Sequence, residues 1–564
     1  MFLGVDVGGT HTDAVLLEET KSGVRPVDAA KARTSVRVIE SLARVFDELL
    51  TGGRAASLKR LTVSTTLGLN SLLTGAADPV GVMTTGGPGL ELDPGPWGPL
   101  YRALPAQQDH RGHVVEALDP RLAHEAAADL VGRGAATLVV GSKFGPKNTV
   151  LEEVMQTVGR EVCPGPVMSA SALFGGLNFP RRLGGAVLNA AVKRLYDRFL
   201  DDLGEVAAAR GLGCPVCVLK SDGGVMGLAA ARTRPVLALT SGPAASLLGL
   251  WALSDASGPS EAPDPGDVLM VDMGGTSTDL AVFSRGSPLM TSEGLTIAGR
   301  PTLVKGLLTH SAALGGDTDL APVDGRLVPA PVRRGPALAL APGDLGLRPP
   351  TLTDALNALG RCAVGDPRIS LRAFELLSPG DPVGLARQGV GAVLEKLAAE
   401  IKLFLERINQ QPVYTVGDFL VDWRLEPNRA VFLGGPAETL APLAGEALGL
   451  ACSAPAGAAT ANALGAALAR PTVEAELYAD TDHGLMSAPT LGESRKINPS
   501  YNLDQAKQDL LDLMGGRPDV RVTSAESFSQ FHEYGRAGKV IRVTAQSAPG
   551  LVARLAGLPP PRSA

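Results

Sequence analysis

The sequence predicts an α/β protein of two duplicated lobes facing one cleft, with a smaller C-terminal region. Three observations carry this expectation. The octapeptide Asp6-Val-Gly-Gly-Thr-His-Thr-Asp13 returns as Asp272-Met-Gly-Gly-Thr-Ser-Thr-Asp279, identical at six of eight positions. Each copy follows an apolar run, and the order of strand and helix patterns begins again after about residue 266. A chain of 564 residues is also too long for one hydrophobic core. The copies lie too far apart for a solenoid period, so the architecture itself is duplicated. The expected divisions are residues 1–170, 171–470 and 471–564.

The elements follow from local pattern. Residues 2–7 and 12–17 read as strands joined at Gly8-Gly9-Thr10, a hairpin. Helical spacing covers 35–51. Further strands are expected at 61–66, 80–85 and 137–142, with helices at 66–74, 121–133 and 147–161. A turn-rich Cys163-Pro-Gly-Pro leads to a long helix at 181–211 and a strand at 216–220. A helix at 244–255 and a loop at 257–266 precede the strand that delivers the second octapeptide. The Pro- and Gly-rich stretch 320–350 reads as hairpins and loops. Helices return at 352–360 and 384–408, and the strand 430–433 delivers Gly434-Gly-Pro-Ala437. Helices at 437–449, 460–469 and 503–514, a strand at 539–545 and a frayed tail at 558–564 complete the chain.

Composition narrows the function classes. Hydrophobic residues at 45% and charged residues at 20% describe a globular chain. The net charge is −6 and no Lys/Arg cluster stands out, which argues against a nucleic-acid partner. No run reaches the roughly 20 apolar residues of a membrane span. The N-terminus lacks a basic, then apolar leader, so a cytoplasmic protein is expected. Of five cysteines only Cys214 and Cys217 form a C-x-x-C, and without a second ligand pair they read as buried thiols.

The octapeptide suits phosphate. Gly-Gly lets the backbone turn tightly and approach a ligand, and N–H groups in such a turn can converge on an anion. Threonine hydroxyls add donors without charge. The leading aspartate, at a strand end, suits Mg²⁺, which takes one or two carboxylates plus phosphate oxygens. A Gly-Gly hairpin alone would satisfy a turn, but would not require Asp, Thr, Thr and Asp in both copies. Gly434-Gly435 at a strand-to-helix junction lets a flat ring lie against backbone.

In this combination the sequence resembles the superfamily of actin, sugar kinases and heat-shock-protein ATPases, and within it the hydantoinase A/oxoprolinase family. The resemblance rests on Asp6–Asp13, Ser64-Thr-Thr-Leu-Gly-Leu-Asn70, Lys220-Ser-Asp-Gly-Gly-Val-Met226, Arg234-Pro-Val and Ser241-Gly-Pro-Ala244. It continues through Asp272–Asp279, Pro350-Thr-Leu-Thr-Asp-Ala355 and Gly434–Ala437, in the family's order over roughly residues 1–470. It implies two actin-like (ribonuclease-H-like) ATPase lobes around a nucleotide cleft. It also implies an ATP- and Mg²⁺-dependent hydrolase of a cyclic amide such as 5-oxoproline or a hydantoin. Relatives use the same ATPase in carboxylases of small ketones. A second, hydantoinase B-type subunit and a homo- or hetero-oligomer are implied in the same way. A small-molecule kinase and a regulatory ATPase are the alternatives, because one fold hosts many chemistries.

The roles implied are specific. Asp6 and Asp272 organise Mg²⁺ and the attacking group. Gly8, Gly9, Thr10, Thr12, Gly274, Gly275, Thr276 and Thr278 cradle phosphates or support the hairpins, and Gly434 and Gly435 border adenosine. Ser64, Thr65, Thr66 and Asn70 read either as a substrate-facing cluster or as a helix cap. Asp222 reads as cleft lining or a plain turn. Ser241-Gly-Pro opens a helix, as an anion site or a simple cap. Two features depart from the family. His11 stands where an aromatic residue is usual, with packing its expected role. Thr309-His310 reverses the family's His-Thr, and the following loop carries Asp317 and Asp319. His310, Asp317 and Asp319 could bind a divalent metal or form a solvated loop of Asx turns.

Overall fold

In the computed structural model, residues 1–556 are described apart from 10, 36, 88–94, 254–265, 285–286, 292, 411–423, 489–490 and 532–536. The loop expected at 257–266 lies almost wholly outside the described residues, and the tail at 558–564 wholly so.

The first lobe opens with β1 (Phe2–Val7), β2 (His11–Thr20) and β3 (Gly23–Arg33), an antiparallel meander. β3 was not legible as a strand. It is a polar edge strand whose Pro26 sits beside a register shift, where a missing N–H costs no ladder bond. Helix α1 (Val38–Leu49) leads to β4 (Arg60–Thr65), parallel to β1, and then α2 (Leu67–Leu73).

A second sheet is inserted here. Its strands are β5 (Val80–Gly86), β6 (Tyr101–Gln108), β7 (Val114–Glu116), β8 (Thr137–Ser142) and β9 (Val167–Ser169), in the order β7-β6-β5-β8-β9. Helices α3 (Pro120–Gly132) and α4 (Val150–Val162) pack on it through Leu130, Leu138 and Met155. After α5 (Ala170–Leu173), the 31-residue α6 (Phe179–Ala209) runs back to the first lobe. There β10 (Val216–Leu219) joins β4, and β11 (Val225–Gly227) closes the sheet in the order β11-β10-β4-β1-β2-β3. The first lobe's sheet therefore draws strands from both sides of residue 170.

Helices α7 (Leu228–Thr233) and α8 (Ser241–Leu253) lead to the second lobe. Strands β12 (Asp267–Met273) and β13 (Thr278–Ser284) form its hairpin, extended by β14 (Ser287–Pro288). Two small hairpins follow: β15 (Thr296–Ile297) with β16 (Arg300–Pro301), and β18 (Leu320–Val323) with β19 (Arg326–Pro329). Between them β17 (Thr309–Ala312) pairs with β13. Helices α9 (Leu352–Ala358), α10 (Pro367–Leu377) and α11 (Pro382–Asn409) precede β20 (Pro427–Leu433). Helix α12 (Ala437–Leu448), β21 (Ala451–Ser453) and α13 (Ala461–Leu468) complete the lobe.

The duplication extends to register. β17-β13-β12-β20-β21 repeats β3-β2-β1-β4-β10, with two antiparallel and then two parallel pairings. Asp6 lies opposite Asp13 and Val7 opposite Thr12, while Asp272 lies opposite Asp279 and Met273 opposite Thr278.

Helices α8 and α13 join the lobes. α8 is apolar on every side and buried almost throughout. The two helices touch backbone to backbone. A Cβ on Gly465 would stand 2.0 Å from the carbonyl oxygen of Ala245, and one on Gly249 2.0 Å from that of Ala461. No residue but glycine fits at either point.

The C-terminal region is an antiparallel sheet of β22 (Glu474–Asp480), β23 (Leu485–Ala488), β24 (Glu493–Lys496), β25 (Val520–Phe531) and β26 (Ala537–Ser547). Helix α14 (Leu503–Leu513) covers one face through Leu510, Leu477 and Ile541. Among the described residues no helix is long and apolar enough to cross a membrane. The five cysteines are free thiols, and only Cys163 is fully buried; Cys214 and Cys217 are partly exposed, unlike the expectation.

Candidate functional site

Both octapeptides form the same tight turn. Gly8 N–H donates to the carbonyl of His11 at 3.0 Å, and Gly274 N–H to that of Ser277 at 2.9 Å. Those two N–H groups are used within the turns. Gly9 and Gly275 donate no backbone hydrogen bond among the described residues, which leaves them as the groups the turns present. Thr276 is exposed at the second tip, and Thr10 lies outside the described residues.

Thr12 and Thr278 do not face a ligand. Both are fully buried. Thr12 Oγ1 donates to Ser41 Oγ at 3.0 Å, and Thr278 Oγ1 donates to the carbonyl of Leu314 at 2.6 Å. The period of two explains this correction: the face that holds the Asp6–Asp13 pair cannot also hold the Val7–Thr12 pair. These threonines tie each hairpin to the lobe behind it.

The two aspartates meet through residues from α8 and α13. Ser64 Oγ donates to Asp6 Oδ1, and Asn462 Nδ2 donates to Asp6 Oδ2 at 3.3 Å. Ser246 Oγ bonds Asp272 Oδ2 and lies 2.9 Å from Asn462 Oδ1. One side chain, Asn462, thus links the carboxylates of both lobes. Burial pushes the Asp6 carboxyl up to about 6 against the hydrogen bonds of Ser64 and Asn462, with Asp13 and Asp272 adding like charge. Burial likewise raises Asp272.

The second members of the two pairs differ. Asp13 forms an ion pair with Lys31 at 3.0 Å. Asp279 has Ser311 instead, and burial together with the charge of Asp272 pushes it up to about 7. A carboxyl raised by folding binds protons that the unfolded chain has already released. Its stability contribution is therefore lost as pH rises from about 4 toward 7. We expect the urea midpoint of the metal-free protein to fall across that window, and Asp279→Asn to flatten the upper part of the fall. Superimposable profiles for the two proteins would refute this account of Asp279.

The other expected residues divide. Gly434, at φ +89°, lies against the second turn: a Cβ there would stand 2.2 Å from the carbonyl oxygen of Met273 and 2.9 Å from Asp272 Oδ1. It shapes the turn and is not open to a ring, whereas Gly435 is exposed with nothing within 4 Å of its Cβ position. Ser64 is enclosed and serves Asp6. Thr65 is also enclosed; its Oγ1 accepts from Leu67 N–H at 3.1 Å, at the start of α2, and its backbone is bonded to Ser241. Those two are corrected from substrate contacts to supports. Thr66 and Asn70 remain accessible. Asn70 Nδ2 donates to Thr66 Oγ1 at 3.2 Å and lies 3.2 Å from the Cβ position of Gly9.

Asp222 is a second correction. It is buried and accepts from Lys220 Nζ (2.9 Å), Gly224 N–H (2.8 Å), Thr472 Oγ1 (3.0 Å) and Gln546 Nε2 (2.6 Å). Oδ2 is held by Lys220, Thr472 and Gln546 and Oδ1 by Gly224 N–H, and the Thr472 and Gln546 bonds dock the C-terminal region, so the carboxylate is committed to support.

The expected metal set does not assemble. His310 Nε2 pairs with Glu400 Oε2 at 3.0 Å and its ring stacks on Phe404. Asp317 is bonded by Arg333 at 2.6 Å, and Asp319 is buried beside Arg334 and Arg348. Arginines occupy the places a cation would take, and among the described residues no three His, Cys, Asp or Glu side chains converge. The loop has another function. Gly316 N–H and Asp317 N–H donate to the carbonyls of Gly274 and Gly275 at 2.9 and 2.7 Å, and Thr353 Oγ1 donates to the carbonyl of Gly316 at 2.8 Å. It buttresses the second turn. His11 is exposed beside the first turn, near Asp13, Lys31, Arg33 and, from the second lobe, Asp317.

Residues 2–163 match the family description hydantoinase/oxoprolinase N-terminal region, and residues 182–475 match hydantoinase/oxoprolinase. The chain belongs to the hydantoinase/oxoprolinase family. Among relatives of this hydantoinase/oxoprolinase chain, an uncharacterized protein of Methanocaldococcus jannaschii is 25% identical over 402 residues, covering 64% of this chain and 56% of its own. Caprolactamase subunit alpha of Pseudomonas jessenii is 24% identical over 451 residues, covering 72% and 59%. The chain thus spans under two thirds of the length of either. Among solved structures, nucleotide-free acetone carboxylase superposes with a TM-score of 0.68 at 18% identity, covering 99% of this chain and 88% of its own. The ATP-dependent caprolactamase of Pseudomonas jessenii gives 0.67 at 19%, covering 100% and 89%. At such identity these structures establish the actin-like ATPase fold of the family.

Proposed function

We propose that this protein couples ATP hydrolysis to the opening of a small cyclic amide. The observation that carries the reading is the linked chain Asp6–Asn462–Ser246–Asp272, which brings a carboxylate of each lobe to one locus between two Gly-Gly turns. The turns offer the N–H groups of Gly9 and Gly275 to phosphate oxygens. Asp6 and Asp272 are buried and have no cationic side chain in contact among the described residues. This hard-oxygen pair fits Mg²⁺, which would neutralise phosphate charge there. Gly435 borders the open side, where adenosine would lie.

The protein's contribution is positioning and charge. An amide carbonyl is a poor electrophile. Transfer of the terminal phosphoryl group of ATP to that oxygen forms one P–O bond and breaks another, leaving ADP. Water then adds at the activated carbon and the ring C–N bond breaks to leave an acyl phosphate, which a second water hydrolyses to the free carboxylate and phosphate. Thr66 and Asn70, accessible beside the first turn, hold the amide. The caprolactamase relative is a subunit alpha, which supports a second subunit here.

The test is ADP and phosphate release by purified protein, with and without a candidate partner chain. The panel holds lactams, 5-oxoproline, hydantoins, sugars, and ketones with bicarbonate. Release dependent on a cyclic amide, with the ring-opened amino acid as co-product, is expected. A phosphorylated sugar as the stoichiometric product would overturn the reading in favour of a kinase. ATP hydrolysis indifferent to every small molecule would favour a regulatory ATPase.

A further inference from the structure

The inserted sheet carries an unclaimed site of its own. β6, β5, β8 and β9 are parallel neighbours in that order. The chain leaves β5 to one side and returns on the other, so the order reverses between β5 and β8. Open parallel sheets bind ligands at the carboxyl edge of such a switch point. Here that edge is Thr85–Gly86 and Ser142–Lys143, crossed by a turn in which Lys143 N–H donates to the carbonyl of Thr85 at 3.2 Å.

The edge is roofed by the polar face of β22 and β26, on which Tyr478 lies directly opposite Arg542. Lys147 comes from the turn below, and its Nζ lies 3.4 Å from Tyr478 Oη and 5.4 Å from the ring centre. Arg542 stands over the same ring at 5.6 Å. Arg182, fully buried, donates to the carbonyl of Ser142 at 2.6 Å and anchors the turn.

Arg542 is the anomaly. It is only 8% exposed, yet among the described residues it makes no hydrogen bond and no ion pair, and its Nε is an orphan. Glu476 and Glu526 share its sheet face without reaching ion-pair distance. The carboxylate beneath, Glu152, is already occupied by Ser142, Ser169 and Ser171. A buried guanidinium that meets an aromatic face but no hydrogen-bond acceptor or counter-ion is costly. We propose that the crevice between the β5/β8 edge and the β22/β26 face binds a small carboxylate-bearing ligand through Arg542 and Lys147. With Glu476 and Glu526 beside Arg542, and Asp480 and Asp109 beside Lys147, the two cations suit a monoanion better than a phosphate dianion. The site is built from different elements than the Gly-Gly turns, and it does not depend on the cyclic-amide reading.

The test uses the full chain saturated with ADP and Mg²⁺, titrated calorimetrically with acetate, glutarate, bicarbonate and inorganic phosphate. Acetate or glutarate should bind. Arg542→Gln should weaken that binding about ten- to a hundredfold, and Arg542→Lys should restore part of it. Arg542→Gln should also raise the ligand-free urea midpoint, because it removes an unpaired buried charge. A residue retained only for structure would lower that midpoint. No carboxylate binding by the wild type, unchanged binding by Arg542→Gln, or tighter binding of bicarbonate or phosphate than of either carboxylate would overturn the proposal.

Discussion

Asp272→Asn should reduce ATP-coupled turnover by about 10²–10³-fold while the protein stays folded. The replacement is isosteric, and an amide oxygen can still accept from Ser246. What disappears is the second lobe's negative charge at the point where Asn462 joins the lobes. Burial holds that carboxyl above its ordinary range, and it adds like charge to Asp6. The variant should therefore be at least as stable as wild type near neutral pH, with a higher urea midpoint. Turnover and stability moving in opposite directions would mark a group kept for chemistry. Full activity in this variant would remove the second turn from the proposed phosphate site.

The second large effect is structural. Gly465→Val should cost at least about 3 kcal/mol. Its Cβ would meet the carbonyl oxygen of Ala245 at 2.0 Å and the N–H nitrogen of Gly249 at 2.5 Å. These are backbone atoms of a buried helix and cannot rotate aside. Separating α13 from α8 would also pull Asn462 away from Ser246, so activity should fall further than the unfolded fraction explains. The control is Gly204→Ala in α6, where nothing lies within 4 Å of the new Cβ; there a gain of about 0.5–1 kcal/mol is expected. Urea midpoints and limited proteolysis would measure both. A Gly465→Val protein as stable as wild type would show that the crossing can separate without consequence.

The hairpins, their duplication and the Gly-Gly junction were legible because each depends on short-range chemistry: an apolar run, a turn that needs glycine and a charge at a strand end. Ser246 and Asn462 were not, because their partners are distant in sequence. A faint signal existed, since each is a polar side chain inside an otherwise apolar helix, and such a residue needs a buried partner. The substrate reading of Ser64, Thr65 and Asp222 failed for the converse reason. Residue type was suggestive, but burial and partners assign all three to support. The metal reading of His310, Asp317 and Asp319 failed because Glu400, Arg333, Arg334 and Arg348 come from segments with no motif to announce them. β3, β6 and β25 escaped notice as polar or Pro-bearing strands, whose alternation is weak.

The asparagine between the lobes breaks their symmetry. Its Nδ2 is given to Asp6 and its Oδ1 is turned toward Ser246. A two-fold axis through the cleft would require one amide to show the same atom to both sides, which it cannot do. The halves of this duplication are thus no longer interchangeable. A chimera that repeated the first half would have no asparagine at this point, and one that repeated the second half would have two asparagines and no Ser246 between them.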